Sequence, residues 1–258
     1  MEEKVAAVKL SIVIPAHNEE LNIEPCVREL QAALRTAPEI PYELIIVDDN
    51  SRDETARIVE RLQEEDPAIR LVRRQPPAGF GRAIRAGLAA VTGDVVIICM
   101  ADLSDRPEDV LAYYRKIQEG YDCVYGSRFL SGSEVRNYPL VKRWVNRLVN
   151  RLLQLLFLTR HNDLTNAFKA YRADVLRACG MPTASHFNIT IEMSLGPVIR
   201  GCRIAAIPIA WHGRVHGVSN LKLWQMGRRY LATLLAALAT RWLIADDLIA
   251  EWKARSDR

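Results

Sequence analysis

The 258-residue chain sets 35 Lys and Arg against 31 Asp and Glu, a net charge of +4, with 49% hydrophobic and 26% charged residues. That balance excludes low-complexity, collagen-like and wholly disordered chains and gives no argument for a nucleic-acid partner. The five cysteines, Cys26, Cys99, Cys123, Cys179 and Cys202, form neither a CxxC pair nor a zinc-spaced group, which suits a reducing cytosol better than a disulfide framework.

In chain order, the N-terminal MEEKVAAVK carries acidic residues and no basic n-region, so the apolar run after it predicts a strand rather than a secretory signal. Short β-rich runs follow at 10–15 (LSIVIP), 43–49 (ELIIVDD), 69–74 (IRLVRR), 94–100 (DVVIICM) and 122–127 (DCVYGS), separated by segments with helical spacing. This order predicts an α/β fold with a mainly parallel sheet flanked by helices, and in open sheets of that kind ligands sit at the carboxyl ends of the strands. Polar clusters follow three of the runs: AHNEE at 16–20, DDNSRDE at 48–54 and ADLSDRPED at 101–109.

Each cluster admits a chemical and a structural reading. Asp48 and Asp49 end an apolar strand, where adjacent carboxylates need donors or a cation; alternatively Ser51 and Glu54 form a capping box for the next helix. Asp102, Ser104 and Asp105 supply hard oxygen donors suited to Mg²⁺ or Mn²⁺; alternatively Asp105 caps a helix beginning at Arg106 and Pro107. The loop AGFGRAIRAG at 78–87 offers backbone N–H groups, but it lacks the GxxxxGK[ST] pattern, and Ile84 breaks GxGxxG, so a P-loop kinase or dinucleotide enzyme is disfavoured.

The second half is basic and helical at 139–158, where Val141, Val145, Leu148, Leu152 and Leu155 recur with Lys142, Arg143, Arg147 and Arg151 between them. Such a helix either docks on an anionic membrane surface or packs on the core behind a solvated basic face. The apolar run 230–240 is bracketed by Arg229 and Arg241 and is too short to span a bilayer; it lies on a membrane or closes the core. Trp224, Arg228, Arg229, Tyr230 and Trp242 make that segment a second candidate docking surface. No linker divides the chain, which reads as a domain at 1–225 with a C-terminal amphipathic helical extension at 226–258.

The ordered set IVIPAHNEE, IIVDDNSRDET, GFGRAIRAG, MADLSDRPED, YGSRF, DLTNAFKAYR and RVHGVSNLKL resembles the family 2 glycosyltransferases of the GT-A (Rossmann-like) fold, and within them the polyprenol-phosphate (dolichol-phosphate) glycosyltransferases. The resemblance implies inverting transfer of a hexose from a nucleotide-sugar of the GDP-mannose or UDP-glucose type to a dolichyl or undecaprenyl phosphate, with Mg²⁺ or Mn²⁺ as cofactor. It implies a cytoplasmic protein held peripherally at the cytoplasmic face of a membrane, by its own surface or by a separate membrane subunit. By the same resemblance Pro15, His17, Glu19, Val47, Asp49, Ala101, Asp102 and Arg214 contact the nucleotide-sugar, and Asp102 with Ser104 holds the metal. Arg128, Lys142, Ser219 and Lys222 serve the acceptor phosphate; Asp102, Arg128 and Arg214 carry catalysis.

Four positions depart from the pattern. His17 stands where Tyr is usual, Asn146 where Ser is usual, and Asn220 replaces a Lys for which Lys222 is the candidate substitute. Met100 occupies the place of the first Asp of the DxD segment, leaving M-A-D. A phosphate acceptor is ionised near pH 7 and needs no strong base; a sugar or cell-envelope hydroxyl would, and Asp163 is the candidate for that role unless it is simply bonded to Thr165 or Asn166. A third reading, motivated by Met100, is a catalytically silent GT-A module that binds nucleotide-sugar.

Overall fold

The computed structural model describes residues 8–213 and 223–256. In chain order the elements are β1 (Leu10–Ala16), α1 (Ile23–Leu34), β2 (Tyr42–Asp48), α2 (Thr55–Glu65), β3 (Ile69–Arg73), α3 (Phe80–Ala90), β4 (Val95–Ile98), α4 (Glu108–Gln118) and β5 (Cys123–Ser127). There follow β6 (Glu134–Arg136), α5 (Leu140–Phe157), β7 (Lys169–Arg172), α6 (Ala173–Cys179), α7 (Ile189–Ile199), β8 (Ile204–Pro208), β9 (Ala210–His212) and α8 (Leu223–Ser256). The five predicted runs are all strands of one sheet, ordered β3-β2-β1-β4-β7-β5-β8.

Alternation sorts the strand residues into two cores. Ile12, Ile14, Leu44, Ile46, Val95 and Ile97 face α1, α2 and α4, whereas Val13, Ile45, Val47, Val96 and Ile98 face α3 and the C-terminal helices. With both faces covered the central strands are mostly apolar, and each fully buried Val or Ile contributes about 2 kcal/mol relative to exposure. Gly87 lets α3 lie close on β1: a Cβ there would sit 2.3 Å from Val13 Cγ1.

The sheet is parallel except at β7, which runs antiparallel to both β4 and β5. β7 lies in the segment DLTNAFKAYR, and its insertion draws the loop before it to the carboxyl end of β5. The small sheet pairs β6 with β9, and Gly213 N donates to Arg136 O at 3.0 Å.

Two expected caps are corrected. Helix α2 starts at Thr55 after Glu54, without a side-chain cap, because Ser51 Oγ accepts the Asn18 N–H at 3.0 Å across the loops. Helix α4 starts at Glu108 after Pro107, and Asp105 turns back to accept the Met100 N–H at 3.0 Å.

Glu43 of β2 is a further buried carboxylate. It accepts Ser11 Oγ at 2.6 Å, Thr92 N at 2.8 Å and Arg70 Nη1 at 2.7 Å. Burial raises its pKa, but these donors outweigh burial and hold it at about 2. The folded value lies below that of an unfolded Glu, about 4.3, so the stability it contributes is complete above that value and is lost as pH falls toward 2. Glu43→Gln should therefore lower the melting temperature at neutral pH and flatten its decline between about pH 5 and pH 2 in thermal unfolding. An unaltered decline would show that other carboxylates govern acid unfolding.

Candidate functional site

The carboxyl edge of the sheet gathers the acidic turns. After β1, His17 donates Nδ1–H to Asp49 O at 2.9 Å. Asn18, at φ 55°, accepts Arg52 N at 2.8 Å on Oδ1, and Glu19 N donates to Thr55 Oγ1 at 2.8 Å. The β1–α1 and β2–α2 turns are thus sewn into one rigid rim. Pro15, next to last in β1, lies opposite Val47 in the ladder, and the Val47 side chain is buried under α3, so it is the backbone of Val47 that reaches this edge. Glu19 is buried and its carboxylate accepts the Asn22 amide at 2.7 Å.

Asp49 is compensated. Its carboxylate accepts Gly79 N at 2.5 Å and pairs with the Arg74 guanidinium. The glycine-rich loop therefore gives its first N–H to a protein carboxylate, and it packs tightly: a Cβ at Gly81 would lie 2.4 Å from Ala184 O. Arg74 is a site-lining residue the motifs did not single out; the signal was its place just after β3, beside the acidic end of β2.

After β4 comes the turn Met100, Ala101, Asp102, Leu103, Ser104, Asp105. Ala101 and Ser104 are buried, Leu103 sits at φ 59°, and Asp102 Oδ1 accepts Ser104 N at 3.2 Å. Asp102 is 8% exposed and Asp105 7%. Asp105 Oδ2 takes the Met100 N–H, while Oδ1 is buried without a hydrogen-bond partner among the described residues. Burial first, and then the Asp102 charge, raise the Asp105 carboxyl to about 7, against the Met100 N–H and Arg128.

These donors fit a divalent cation. The turn offers two carboxylates and a hydroxyl, all hard oxygens, one of them a buried oxygen without a donor. No group of three acidic, His or Cys ligands exists among the described residues, so the remaining positions would belong to diphosphate oxygens and water, the usual coordination of Mg²⁺ and Mn²⁺ in phosphate chemistry.

At the end of β5, Arg128 and Asp163 form a buried fork. Nε donates to Oδ2 at 2.8 Å and Nη2 to Oδ1 at 2.7 Å, with side chains 9% and 1% exposed. Burial alone would lower the Arg128 pKa, but Asp163 raises it above its ordinary value. The guanidinium also lies 5.5 Å from the Tyr138 ring and 5.9 Å from that of Trp211. Thr165 Oγ1 donates to Asp163 at 3.2 Å, the loop-carboxylate arrangement anticipated as the alternative to a base.

Helix α5 borders this fork. Asn150 Nδ2 donates to Thr165 Oγ1 at 3.0 Å and Asn150 Oδ1 accepts Leu164 N at 2.7 Å. Asn146 reaches Tyr138 and Thr165, and Lys142, partly exposed, stands one turn earlier on the same side. Beneath the loop, buried Lys169 donates Nζ to Leu164 O at 3.2 Å and to Asn166 O. Its pKa falls to about 7, mainly through burial. Arg214, Ser219 and Lys222 lie outside the described residues.

The outer side of α5 is apolar. Val141, Trp144, Leu148 and Leu155 are each more than two-thirds exposed, with Val145 and Leu152 beside them, while Leu153 and Phe157 are buried. The series read as either membrane-facing or core-facing is the solvent-facing one. Helix α8 closes the core with Leu234, Leu238, Leu248 and Trp252 and leaves Leu231, Leu235 and Trp242 exposed. Among the described residues no helix is long and apolar enough to cross a membrane.

The sheet is mainly parallel, with acidic turns at its carboxyl edge and the Arg128–Asp163 fork beside them. Residues 11–180 match the family described as glycosyl transferase family 2, and the chain belongs to that family. It is 28% identical to a dolichol-phosphate mannosyltransferase of Pyrococcus furiosus over 83% of this chain and 60% of the relative. To an undecaprenyl-phosphate 4-deoxy-4-formamido-L-arabinose transferase of an Enterobacter species it is 33% identical over 68% of this chain and 52% of the relative. The chain thus spans little more than half the length of these two relatives. An undecaprenyl-phosphate mannosyltransferase of Micrococcus luteus, 28% identical, aligns over 91% of this chain and 96% of its own length. In structure, glucosyl-3-phosphoglycerate synthase of Mycobacterium tuberculosis, in complex with Mn²⁺, UDP and glucosyl-3-phosphoglycerate, superposes with a TM-score of 0.68. That match covers 91% of this chain and 81% of the other at 24% identity, and it shows the shared GT-A-like fold.

Proposed function

We propose that this protein moves a hexose from a nucleotide-sugar to a polyprenyl phosphate with inversion at the anomeric carbon. The observation that carries this reading is the Arg128–Asp163 fork: Asp163, the carboxylate read as the candidate base, is committed to a buried guanidinium. An acceptor that arrives ionised needs no proton removed, and it benefits from a fixed cation beside a cleft, which a hydroxyl acceptor does not. The acceptor phosphate oxygen attacks the anomeric carbon as the bond to the nucleoside diphosphate breaks. Arg128 and Lys142 orient the incoming phosphate, and His17, Asp49 and the rim around them seat the nucleotide. Asp102 and Ser104 would hold a divalent cation, which when bound supplies charge stabilisation to the departing diphosphate.

The test is transfer of radiolabel from GDP-mannose and UDP-glucose, each with undecaprenyl and dolichyl phosphate. Label in an organic-extractable, mild-acid-labile product is expected. Label in a water-soluble glycan would favour a hydroxyl acceptor, and binding of nucleotide-sugar without transfer would favour a silent module.

A lipid acceptor requires docking, for which α5 supplies an exposed apolar stripe flanked by Arg143, Arg147 and Arg151, with residues 226–258 as a second surface at the cytoplasmic face. Wild type should sediment with anionic liposomes in a salt-sensitive manner. Replacing the three arginines by Gln should weaken binding by roughly 100-fold, at about 1 kcal/mol per charge. Leu148→Asp should do so at any salt concentration. Wild type that ignores liposomes would instead require a separate membrane subunit or a soluble acceptor.

A further inference from the structure

We propose that Asp105 supplies the second carboxylate of the divalent-cation site, replacing the one absent at Met100. The inference rests on the donor-binding reading above and goes beyond it by adding a ligand that no DxD pattern contains. The turn after β4 holds Met100 where a metal-binding carboxylate is expected, and a thioether is a poor ligand for a hard cation. Two observations bring Asp105 to that turn. Its Oδ2 accepts the backbone N–H of Met100 itself, at 3.0 Å, so the carboxylate folds back against the backbone of the residue whose acidic side chain is missing. Its Oδ1 is buried with no hydrogen-bond partner among the described residues, in a side chain only 7% exposed. A buried carboxylate oxygen left without a donor costs free energy unless a cation or proton meets it.

The turn is also built to hold this placement. Leu103 adopts φ 59°, Ser104 N closes on Asp102 Oδ1, and Ser104 O accepts His212 N at 3.0 Å, which fastens the turn to β9. Asp105 itself bridges Trp211 in backbone pairing. Freed from capping α4, its side chain closes the same turn from which Asp102 projects. Asp102 and Asp105 would together hold the cation without Met100, the remaining positions falling to diphosphate oxygens and water.

The test counts bound Mn²⁺ by electron paramagnetic resonance in the presence of saturating GDP or UDP, whichever raises the melting temperature of the wild type. Asp105→Asn keeps an acceptor for the Met100 N–H, and should weaken Mn²⁺ binding roughly 10-fold or more while nucleotide binding without metal is unchanged. Adding Met100→Asp to that variant should restore most of the lost affinity, because it returns a carboxylate to the adjoining position. Wild-type Mn²⁺ affinity in folded Asp105→Asn would overturn the inference and leave the donor-binding reading standing. Wild type that binds neither nucleotide nor Mn²⁺ would overturn both. A check independent of the stability of Asp105→Asn is Met100→Asp alone. With Asp105 already in place it should change Mn²⁺ affinity by less than about 3-fold, whereas a gain of about 10-fold or more would show that the second carboxylate had been missing.

Discussion

Asp102→Ala is expected to lower the transfer rate by about 10²-fold or more while leaving the fold intact. Asp102 stands at the carboxyl edge of β4 rather than within either core. One of its structural contacts is the acceptance of the Ser104 N–H at 3.2 Å, a turn bond whose loss costs on the order of 1 kcal/mol. On the proposed mechanism its chemical role is larger, because the diphosphate would leave with charge that must be met in the transition state. Removing one such electrostatic partner typically costs two to three orders of magnitude in rate. Asp102→Asn separates the two contributions, since the amide oxygen still accepts the Ser104 N–H but carries no charge. Initial rates at saturating Mn²⁺, with melting temperatures measured in parallel, should show both variants folded and both slow. Turnover near wild type in either would refute a charge-based role for this carboxylate.

What could be read from the sequence follows from how each element meets its surroundings. The central parallel strands were legible because strands buried on both faces are apolar over long runs, as in Leu44, Ile45, Ile46 and Val47. β7 was not. It is four residues long and contains Lys169, which reads as a solvated residue until its loop supplies the carbonyls of Leu164 and Asn166. Periodicity found α5 but not its orientation, since the helix carries two apolar stripes and only the packing decides that Leu153 and Phe157 go inward and Leu148 and Leu155 outward. At the site, carboxylates at strand ends announce themselves because burying them is costly. Their partners do not: Arg74 meets Asp49 from another strand, and Asp163 meets Arg128 across 35 residues. Local signals misled where a polar side chain had a more distant use, as Ser51 bonds Asn18 and Asp105 bonds Met100 in place of capping helices.

Breaking the Arg128–Asp163 fork should damage stability and turnover together, and restoring only the stability separates its two roles. Arg128→Ala leaves Asp163, 1% exposed, as an unpaired buried charge, which costs about 3–5 kcal/mol. Asp163→Ala strands the guanidinium in the same way, although Tyr138 and Trp211 remain near it. Replacing both partners by apolar residues, Arg128→Met with Asp163→Leu, removes the uncompensated charge and should recover most of the melting temperature, because a buried ion pair is often no more stabilising than a packed apolar pair. Turnover should not return with it, staying about 10²-fold or more below wild type for want of the cation proposed to meet the acceptor phosphate. Arg128→Lys supplies the intermediate case: the charge persists, but an ammonium cannot span both carboxylate oxygens and a phosphate as a planar fork does. It should raise KM for the lipid phosphate while donor binding, followed by thermal shift, stays as in wild type. Recovery of turnover in the Met–Leu double variant would make the fork purely structural, and the acceptor phosphate would then have to be held from elsewhere on the sheet edge.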